Sequence, residues 1–242
     1  MARKYLLEIS VETVERAVAA ERGGADRIEL CAELTVGGLT PSRELLRSVR
    51  ENVRIPVFSM IRPRAGDFAY SADEFAEMRR AIASAKEAGM DGVALGVLHA
   101  DRNVDVERTR ELVTLARPLP VTFHRAFDEC PDLHVALEDV IRAGAARILT
   151  SGGAASAWGG AETLAKLIAA AGNRMVIVPG AGIHAGNIAE VARQTDAREF
   201  HSGLSTELPY SSRDVARFEA CVRKLAEQLK ENGAGQPFAV RG

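Results

Sequence analysis

Residues 143–148 read Ala-Gly-Ala-Ala-Arg-Ile, a glycine-containing helix end followed at once by the start of a predicted strand. The same kind of junction occurs twice earlier, as Gly-Gly-Ala-Asp-Arg-Ile at 23–28 and Ala-Gly-Met-Asp-Gly-Val at 88–93. Glycine at this position suits a helix cap in the left-handed conformation. The junctions precede every second predicted strand, so the chain carries a weak repeat of two strand–helix units. A barrel needs such a repeat, because alternate strands fill alternate layers of its interior.

Short β-rich runs alternate with helical segments almost to the end of the chain. The predicted strands are 5–10, 27–31, 56–61, 92–97, 120–124, 147–151, 175–179 and 199–202. Between and after them lie helical patterns at 11–22, 42–51, 73–88, 105–116, 133–142, 162–171, 187–193 and 214–229. Such alternation implies parallel strands with crossover helices. We therefore predict an α/β fold, a single (β/α)8 TIM-type barrel over 1–229, with a poorly ordered or surface-bound tail at 230–242. An open doubly wound sheet is the alternative, since alternation alone does not show closure.

The composition is that of an ordinary globular protein, with 47% apolar and 26% charged residues among 242. The formal net charge of −2 gives no reason to expect nucleic acid or an anionic membrane as a partner. No apolar run approaches the roughly 18 residues that a membrane span needs, and the N-terminus turns polar too soon for a signal peptide. Three widely spaced cysteines argue against a disulfide framework. We expect a cytoplasmic protein without membrane or nucleic-acid partners.

Polar side chains are concentrated where predicted strands end. The fifth strand runs into His124-Arg125-Ala126-Phe127-Asp128, and strand ends of this kind bind ligands in parallel α/β proteins. Because side chains alternate along a strand, several other polar residues should turn toward the barrel interior or mouth. These residues are Glu8, Glu29, Cys31, Arg62 and His201. Buried charges must pair or bind something, so the set is either a ligand site or a structural network in which Arg62 and Arg147 neutralise the glutamates.

The loops that follow the strands add further candidates. Arg64 and Asp67 come after the third strand, although a surface ion pair is the better explanation for Arg64 alone. Ser151 and Gly152 come after the sixth strand. Glycine turns leading to a helix N-terminus can hold an anion such as phosphate, but short glycine runs are equally common as plain turns.

Metal-binding signals are weak. The chain has no Cys-x-x-Cys or His-Glu-x-x-His, which excludes the common zinc motifs. Cys31 is the cysteine expected to face the barrel mouth. A lone cysteine is more often a small buried apolar residue than a ligand. Cys31, Cys130 and Met60 would nevertheless suit monovalent copper if the fold brings them together.

Five sequence blocks resemble those of the copper homeostasis protein CutC family. They are Arg27-Ile28-Glu29-Leu30-Cys31, Gly37-Gly38-Leu39-Thr40-Pro41-Ser42, Arg62-Pro63-Arg64-x-Gly66-Asp67-Phe68, His124-Arg125-Ala126-Phe127-Asp128 and Ile148-Leu149-Thr150-Ser151-Gly152-Gly153. The blocks lie in the family's order and span most of the chain. The resemblance implies a cytoplasmic β/α barrel that forms a homo-oligomer, either a dimer or a tetramer. It also implies a role in copper homeostasis, with copper binding proposed for some members.

The resemblance and the candidate residues lead to two functional hypotheses. As a copper-handling protein, the chain would use Cys31 as a metal ligand, with Cys130 as a helper. As an enzyme, it would act on a small polar, anionic substrate. Glu29 and His124 would then be the acid and the base, since a histidine beside a carboxylate can titrate near neutral pH. A non-catalytic oligomeric scaffold is the third hypothesis.

The enzyme hypothesis gives the other site residues supporting roles. Arg62 would bind a carboxylate or phosphate bidentately. Asp128 would orient His124 or Arg125. Glu8 would be a second acid/base group or the ion-pair partner of Arg62. The residues expected to contact the substrate, besides Arg62, are Arg64, Asp67, Ser151, Gly152 and His201.

Overall fold

A computed structural model describes residues 5–234 as eight parallel strands, each followed by a helix. The strands are β1 (Leu6–Val11), β2 (Arg27–Leu30), β3 (Val57–Met60), β4 (Gly92–Leu95), β5 (Val121–Phe123), β6 (Arg147–Thr150), β7 (Val176–Pro179) and β8 (Glu199–Ser202). The helices are α1 (Val14–Gly23), α2 (Arg43–Asn52), α3 (Ala72–Glu87), α4 (Val106–Ala116), α5 (Leu133–Ala143), α6 (Ala161–Ala171), α7 (Ile188–Thr195) and α8 (Val215–Ala234). Short 3-10 helices at Leu34–Val36 and Arg125–Glu129 follow β2 and β5.

The sheet curls into a nearly closed barrel. Its strands pair in the order β7-β6-β5-β4-β3-β2-β1-β8, and β7 comes to lie beside β8. Every ladder joins strands that are neighbours in the chain, except the one between β1 and β8, which brings the two ends of the fold together. An open doubly wound sheet would instead reverse its strand order at a switch point. The predicted TIM-type barrel is therefore confirmed.

Local sequence explains the helix boundaries. The Ser71 hydroxyl accepts a hydrogen bond from the backbone N–H of Glu74, and the Glu74 carboxylate accepts one from the backbone N–H of Ser71, which together cap α3. Gly24 and Gly144, in two of the three repeated junctions, take left-handed φ angles of 95° and 89° and close α1 and α5. A residue with a Cβ is strained in that conformation, so these glycines let each strand begin immediately after its helix.

The strands divide their side chains between two environments. Large apolar residues such as Leu7, Ile9, Ile28 and Leu30 belong to the main apolar core, which includes the helices. The intervening positions face the barrel interior and hold polar residues together with Met60 and Ala94. These two form a small apolar cluster with Cys31 and Leu34, which follow β2. The predicted inward direction of the polar residues on β1, β2 and β8 is thus correct.

The last helix is longer than predicted. α8 continues to Ala234, past the boundary expected at residue 229, because no proline interrupts the turn that follows. The rest of the predicted tail, 235–242, lies outside the described residues. Within residues 5–234, no helix combines the length and apolar character needed to cross a bilayer.

Candidate functional site

The C-terminal ends of the strands open onto a cavity of about 520 Å³. Its lining includes Glu29 from β2, Arg62 and Phe68 from the segment after β3, His124 from the end of β5, and His201 from β8. Ser205, Thr206 and Tyr210, from the segment between β8 and α8, line another part. The cavity therefore lies where barrel enzymes bind their ligands.

Glu8 lies at the centre of a charged row across three strands. The strand register places Arg27 of β2 and His201 of β8 on either side of it. Arg27 Nε donates to the Glu8 carboxylate, Arg27 Nη2 donates to Glu199 at 2.6 Å, and His201 Nδ1 lies 2.7 Å from Glu8 Oε1. Burial alone would raise the pKa of Glu8, but Arg27 and then His201 outweigh it and hold that pKa well below its usual range. Glu8 is therefore an ionised anchor for His201.

Glu29 lies beside this row at the cavity wall. Its Oε2 is 3.8 Å from His201 Nε2 and accepts a hydrogen bond from Cys31 Sγ at 3.6 Å. Its Oε1 is buried and has no hydrogen-bond partner within the described chain. Burial raises the pKa of Glu29 despite the opposing charge of His201. Burial by itself would lower the pKa of His201, but the carboxylates of Glu29 and Glu8 raise it.

His124 is placed differently from the prediction that paired it with Glu29. Its Nδ1 accepts a hydrogen bond from the backbone N–H of Ala126 at 3.2 Å, and its ring packs against Phe68 at 5.1 Å between centroids. Burial, together with the charge of Arg62, lowers the pKa of His124 to about 3. The histidine beside the acids is His201, because β8 is two strands from β2 whereas β5 is three.

Arg62 carries a buried charge that no carboxylate neutralises within 4 Å in residues 5–234. Its Nη1 donates to the carbonyls of Val36 and Gly38 at 2.9 and 3.2 Å, and its Nη2 donates to Gly66 at 3.0 Å. The guanidinium lies over the Phe68 ring, and Nε has no partner in the described chain. Arg62 is thus held rigidly by backbone carbonyls at the cavity wall.

The expected structural network has different members. Glu8 pairs with Arg27 and not with Arg62, because the β1–β2 register sets Glu8 and Arg27 side by side. Arg147 donates to Thr122 at 3.1 Å and lies over the Phe58 ring at 4.1 Å. Within residues 5–234 it forms no ion pair with either glutamate of the site, and burial lowers its pKa to about 10.

Asp128 fills the loop after β6. Its carboxylate accepts hydrogen bonds from the Thr150 hydroxyl and from the backbone N–H groups of Ser151 and Gly153, the latter two at 3.1 Å. It also pairs with Arg125 at 2.8 Å, which is one of the two expected partners. The turn at Ser151 and Gly152 was predicted as a possible anion site. In the structure the carboxylate of Asp128 already occupies it.

Arg64 and Asp67 lie outside the cavity lining. Arg64 pairs with Glu74 at 2.6 Å and with Asp67 at 2.9 Å, and it stacks on Tyr70. The Asp67 side chain is 76% exposed. Because Glu74 in the first turn of α3 attracts Arg64, these residues form the surface ion pair that was the alternative explanation.

The cysteines occupy separate environments. Cys31 is fully buried in one small cluster with Met60, and both side chains lie against Gly38, at 3.0 and 3.4 Å from the position where a Cβ would stand. Cys130 belongs to the main core instead. Burial, and then Glu29, raise the pKa of the Cys31 thiol well above its usual range. Of the three candidate copper ligands, Cys31 and Met60 therefore lie in one cluster and Cys130 lies elsewhere.

Glu8, Glu29 and His201 also meet the geometric requirement for a metal site, with one ligand atom from each lying within 4.8 Å of the others. Both Glu8 oxygens already interact with Arg27 and His201, so a metal ion would have to compete with these two partners for Glu8.

The residue that sequence reasoning missed is Arg27. Alternation along β2 places it on the same face as Glu29, so the signal was present in the sequence. Phe68 and Tyr210 were also missed as cavity-lining residues, because they lie in connecting segments whose path has no periodicity to follow.

Comparison with known proteins gives a consistent result. A model described as CutC family matches residues 5–206. A Chromobacterium violaceum protein named family protein CutC is 45% identical over 240 residues, which cover 98% of this chain and 96% of that protein. The human protein named copper homeostasis protein cutC homolog is 48% identical over 200 residues, covering 83% of this chain and 73% of the human protein.

A solved structure extends the similarity to three dimensions. The crystal structure of CutC from Streptococcus agalactiae superposes with a TM-score of 0.78 at 30% identity. The superposition covers 82% of this chain and 98% of that one.

Proposed function

Because the chain belongs to the CutC family, we propose that it serves in copper homeostasis, the role stated in the name of its human relative. The barrel-mouth cavity is the working site, and it binds a small polar molecule that carries a negative charge. Glu29 and His201 are the acid and base of this site. Arg62 and His124 bind the ligand.

A single observation carries this proposal. Three buried polar atoms of cavity-lining residues lack hydrogen-bond partners in the described chain: Glu29 Oε1, Arg62 Nε and His124 Nε2. Leaving such an atom unpaired costs roughly 1–3 kcal/mol, and more for a charged group. Buried polar groups in native proteins are rarely left in this state. A ligand or ordered water that bonds to Arg62, Glu29 and His124 after a small movement of these side chains toward the cavity removes this cost.

The charge pattern indicates the kind of ligand. Glu29, Glu8 and Glu199 lie around Arg27 and His201, whereas Arg62 stands apart with no carboxylate partner in residues 5–234. A buried guanidinium without a counterion favours an anion. The ligand therefore places its negative group at Arg62 and its reacting part toward Glu29.

A thermal-shift screen with small organic acids tests this function. Binding stabilises the folded chain by RT ln(1 + [L]/Kd), about 2.7 kcal/mol when the ligand is at 100 times its Kd. We expect an acid that stabilises the wild-type chain to lose this effect in Arg62→Gln. Arg64→Gln is the matched control, because it removes a nearby arginine that lies outside the cavity. Equal stabilisation of Arg62→Gln and wild type would contradict the proposed site.

Copper binding is the second candidate, supported by the shared packing of Cys31 and Met60 against Gly38. A thiolate and a thioether are ligands that monovalent copper prefers. Because the pKa of the thiol is raised, binding requires the metal to displace its proton.

A Cu(I) titration of the reduced protein against a chromophoric chelator tests this site. We expect Cys31→Ser to lose the bound copper and Cys221→Ser, on α8, to keep it. Equal copper binding by all three proteins would rule out Cys31 as a ligand.

Location and assembly complete the proposal. The protein works in the cytosol as a homodimer or homotetramer. All three cysteines are free thiols, which suits a reducing compartment. Cell fractionation tests the location, and light scattering coupled to size-exclusion chromatography tests the assembly; a monomer at micromolar concentration would contradict it.

A further inference from the structure

We propose that the ligand of the barrel-mouth cavity is a ring-bearing acid, which places its negative group at Arg62 and stacks an uncharged aromatic ring on Trp158. This inference rests on the proposed small-molecule site. It adds a substrate class and a ring-binding residue that lies outside the cavity described so far.

A second cavity adjoins the barrel-mouth cavity. It has a volume of about 440 Å³, and its lining includes Trp158 and His184. Ser156, Gly182 and Thr206 line both cavities, so the two meet at these three residues. A side chain at Gly182 would stand against Ser156 in this junction, with its Cβ 3.4 Å from that of Ser156. Because glycine leaves the junction open, one ligand can occupy both cavities.

Trp158 presents an accessible aromatic surface to the second cavity. The residue is 48% exposed and is the largest of the exposed apolar residues in the described chain. Within residues 5–234 its indole forms no contact with another aromatic ring and its N–H donates no hydrogen bond. The side chain therefore has no such structural partner to explain its position. Large exposed apolar side chains beside a cavity are typical of binding surfaces, and the flat indole face favours an aromatic ring.

The backbone on both sides of Trp158 is fixed before a ligand binds. The N–H of Ala157 donates to the Ala181 carbonyl at 2.9 Å, which joins the loop after β6 to the loop after β7. Gly160 packs directly on the end of β6, where a Cβ would collide with the carbonyl oxygen of Ser151. A platform that is already held in place lowers the cost of ordering the site when the ligand binds.

The lining of the second cavity indicates an uncharged ring with a hydrogen-bond acceptor. In the part of the chain that the structure describes, this lining has no carboxylate, lysine or arginine side chain, so a charged group would lie there without a counterion. The Nδ1 of His184 accepts the backbone N–H of Gly186 at 3.1 Å, so the neutral imidazole carries its proton on Nε2 and can donate it to the ligand. A pyridine-like heterocycle meets both conditions.

The strand order shows how such a ligand would cross the site. The three residues shared by the two cavities follow β6, β7 and β8, whereas Arg62 follows β3. In a ring of eight strands in this order, β7 lies opposite β3. A ligand that joins Arg62 to Trp158 therefore spans the mouth, with Glu29 and His201 on one flank and His124 on the other.

Intrinsic fluorescence tests the inference directly, because Trp158 is the single tryptophan of the chain. The probes are pyridylalkanoates of increasing length, at a mildly alkaline pH that keeps the pyridine neutral, beside unbranched alkanoates of the same lengths. We expect at least one pyridylalkanoate to quench the emission of the full chain and to protect it from iodide. The unbranched acids should leave the emission unchanged. In Arg62→Gln the quenching should need at least about tenfold more acid, since a charge-assisted hydrogen bond is lost.

Thermal shift measures binding in variants that lack the indole. Trp158→Ala should weaken binding of the pyridylalkanoate by about two- to tenfold and leave the unbranched acids unaffected, whereas Trp158→Phe keeps an aromatic ring and should retain most of the affinity. Val135→Ala removes an exposed apolar side chain on α5, outside both cavities, and should match the wild type. Equal affinity of Trp158→Ala and wild type for the pyridylalkanoate would overturn the inference.

The ring-binding inference and the small-molecule site fail in different ways. Acids that bind at Arg62 without changing the emission of Trp158 would overturn the ring-binding inference and leave the small-molecule site intact. Failure of every acid to bind would refute the small-molecule site and the inference with it. Emission that shifts with protein concentration in the absence of acids would show that a second copy of the chain covers Trp158, which also overturns the inference.

Discussion

Replacing His124 with asparagine should remove a large part of the acid sensitivity of this protein. In the folded chain the pKa of His124 is lowered from 6.5 to about 3, because the ring is buried and lies near Arg62. The unfolded chain therefore binds a proton at mildly acid pH that the folded chain does not. The stability contributed by the neutral ring is fully present above about pH 6.5 and is lost as the pH falls toward 3.

The magnitude follows from linkage. Between about pH 8 and pH 5 the free energy of unfolding should fall by about 2 kcal/mol on account of His124 alone, from RT ln(1 + 10^1.5). His201 acts in the opposite sense. Its pKa is raised, so its contribution is fully present below about pH 6.5 and is lost as the pH rises through its folded value. The informative quantity is therefore the difference in the free energy of unfolding between the wild type and His124→Asn, followed as a function of pH.

Urea unfolding at three pH values between 5 and 8 measures that difference. Asparagine is chosen because its Oδ1 can replace Nδ1 as the acceptor for the Ala126 N–H. His134→Asn, at an exposed position in the first turn of α5, is the control. Its free energy of unfolding should differ from that of the wild type by nearly the same amount at each pH. If wild type and His124→Asn differ by the same amount at both ends of the range, within about 0.5 kcal/mol, the argument for a buried neutral His124 fails.

Three further outcomes are expected. Gly96→Ala should destabilise the fold by about 1–3 kcal/mol in urea unfolding, because its Cβ would lie 2.7 Å from the His124 ring; an unchanged midpoint would contradict this packing. Asp128→Ala should lower stability by about 2 kcal/mol, since it leaves the Thr150 hydroxyl and the Ser151 N–H, two donors of buried residues, unpaired; a loss below about 0.5 kcal/mol would refute that role. Cys31 should react with a thiol reagent at least about tenfold more slowly than Cys221 in the native state and equally fast in guanidinium; equal native rates would show that Cys31 is accessible.

The barrel could be predicted because its signals are local. Most strands are short runs of β-forming residues, and glycines such as Gly24 and Gly144 end the helices in a conformation that other residues avoid. Two-residue alternation also placed Glu8, Glu29 and His201 in the interior. These features require no knowledge of which strand stands beside which.

The pairings within the site could not be predicted in the same way. The partner of Glu8 is set by the register between β1 and β2 and by the meeting of β1 with β8, which depend on how far strands shift against one another around the barrel. The same uncertainty led to the pairing of Glu29 with His124 instead of His201. Asp128 and Arg64 lie in loops, and only the folded path shows that each already has partners.

The carboxylate of Asp128 has a consequence for ligand choice. It belongs to the same chain, 23 residues before Ser151 and 25 before Gly153, so its effective concentration at that turn is on the order of millimolar or higher. Inorganic phosphate or a phosphorylated metabolite would have to compete with this built-in occupant for the N–H groups of Ser151 and Gly153. The barrel thereby discriminates against phosphoesters at this turn. The negative group of the ligand is directed instead to Arg62, on the other side of the mouth.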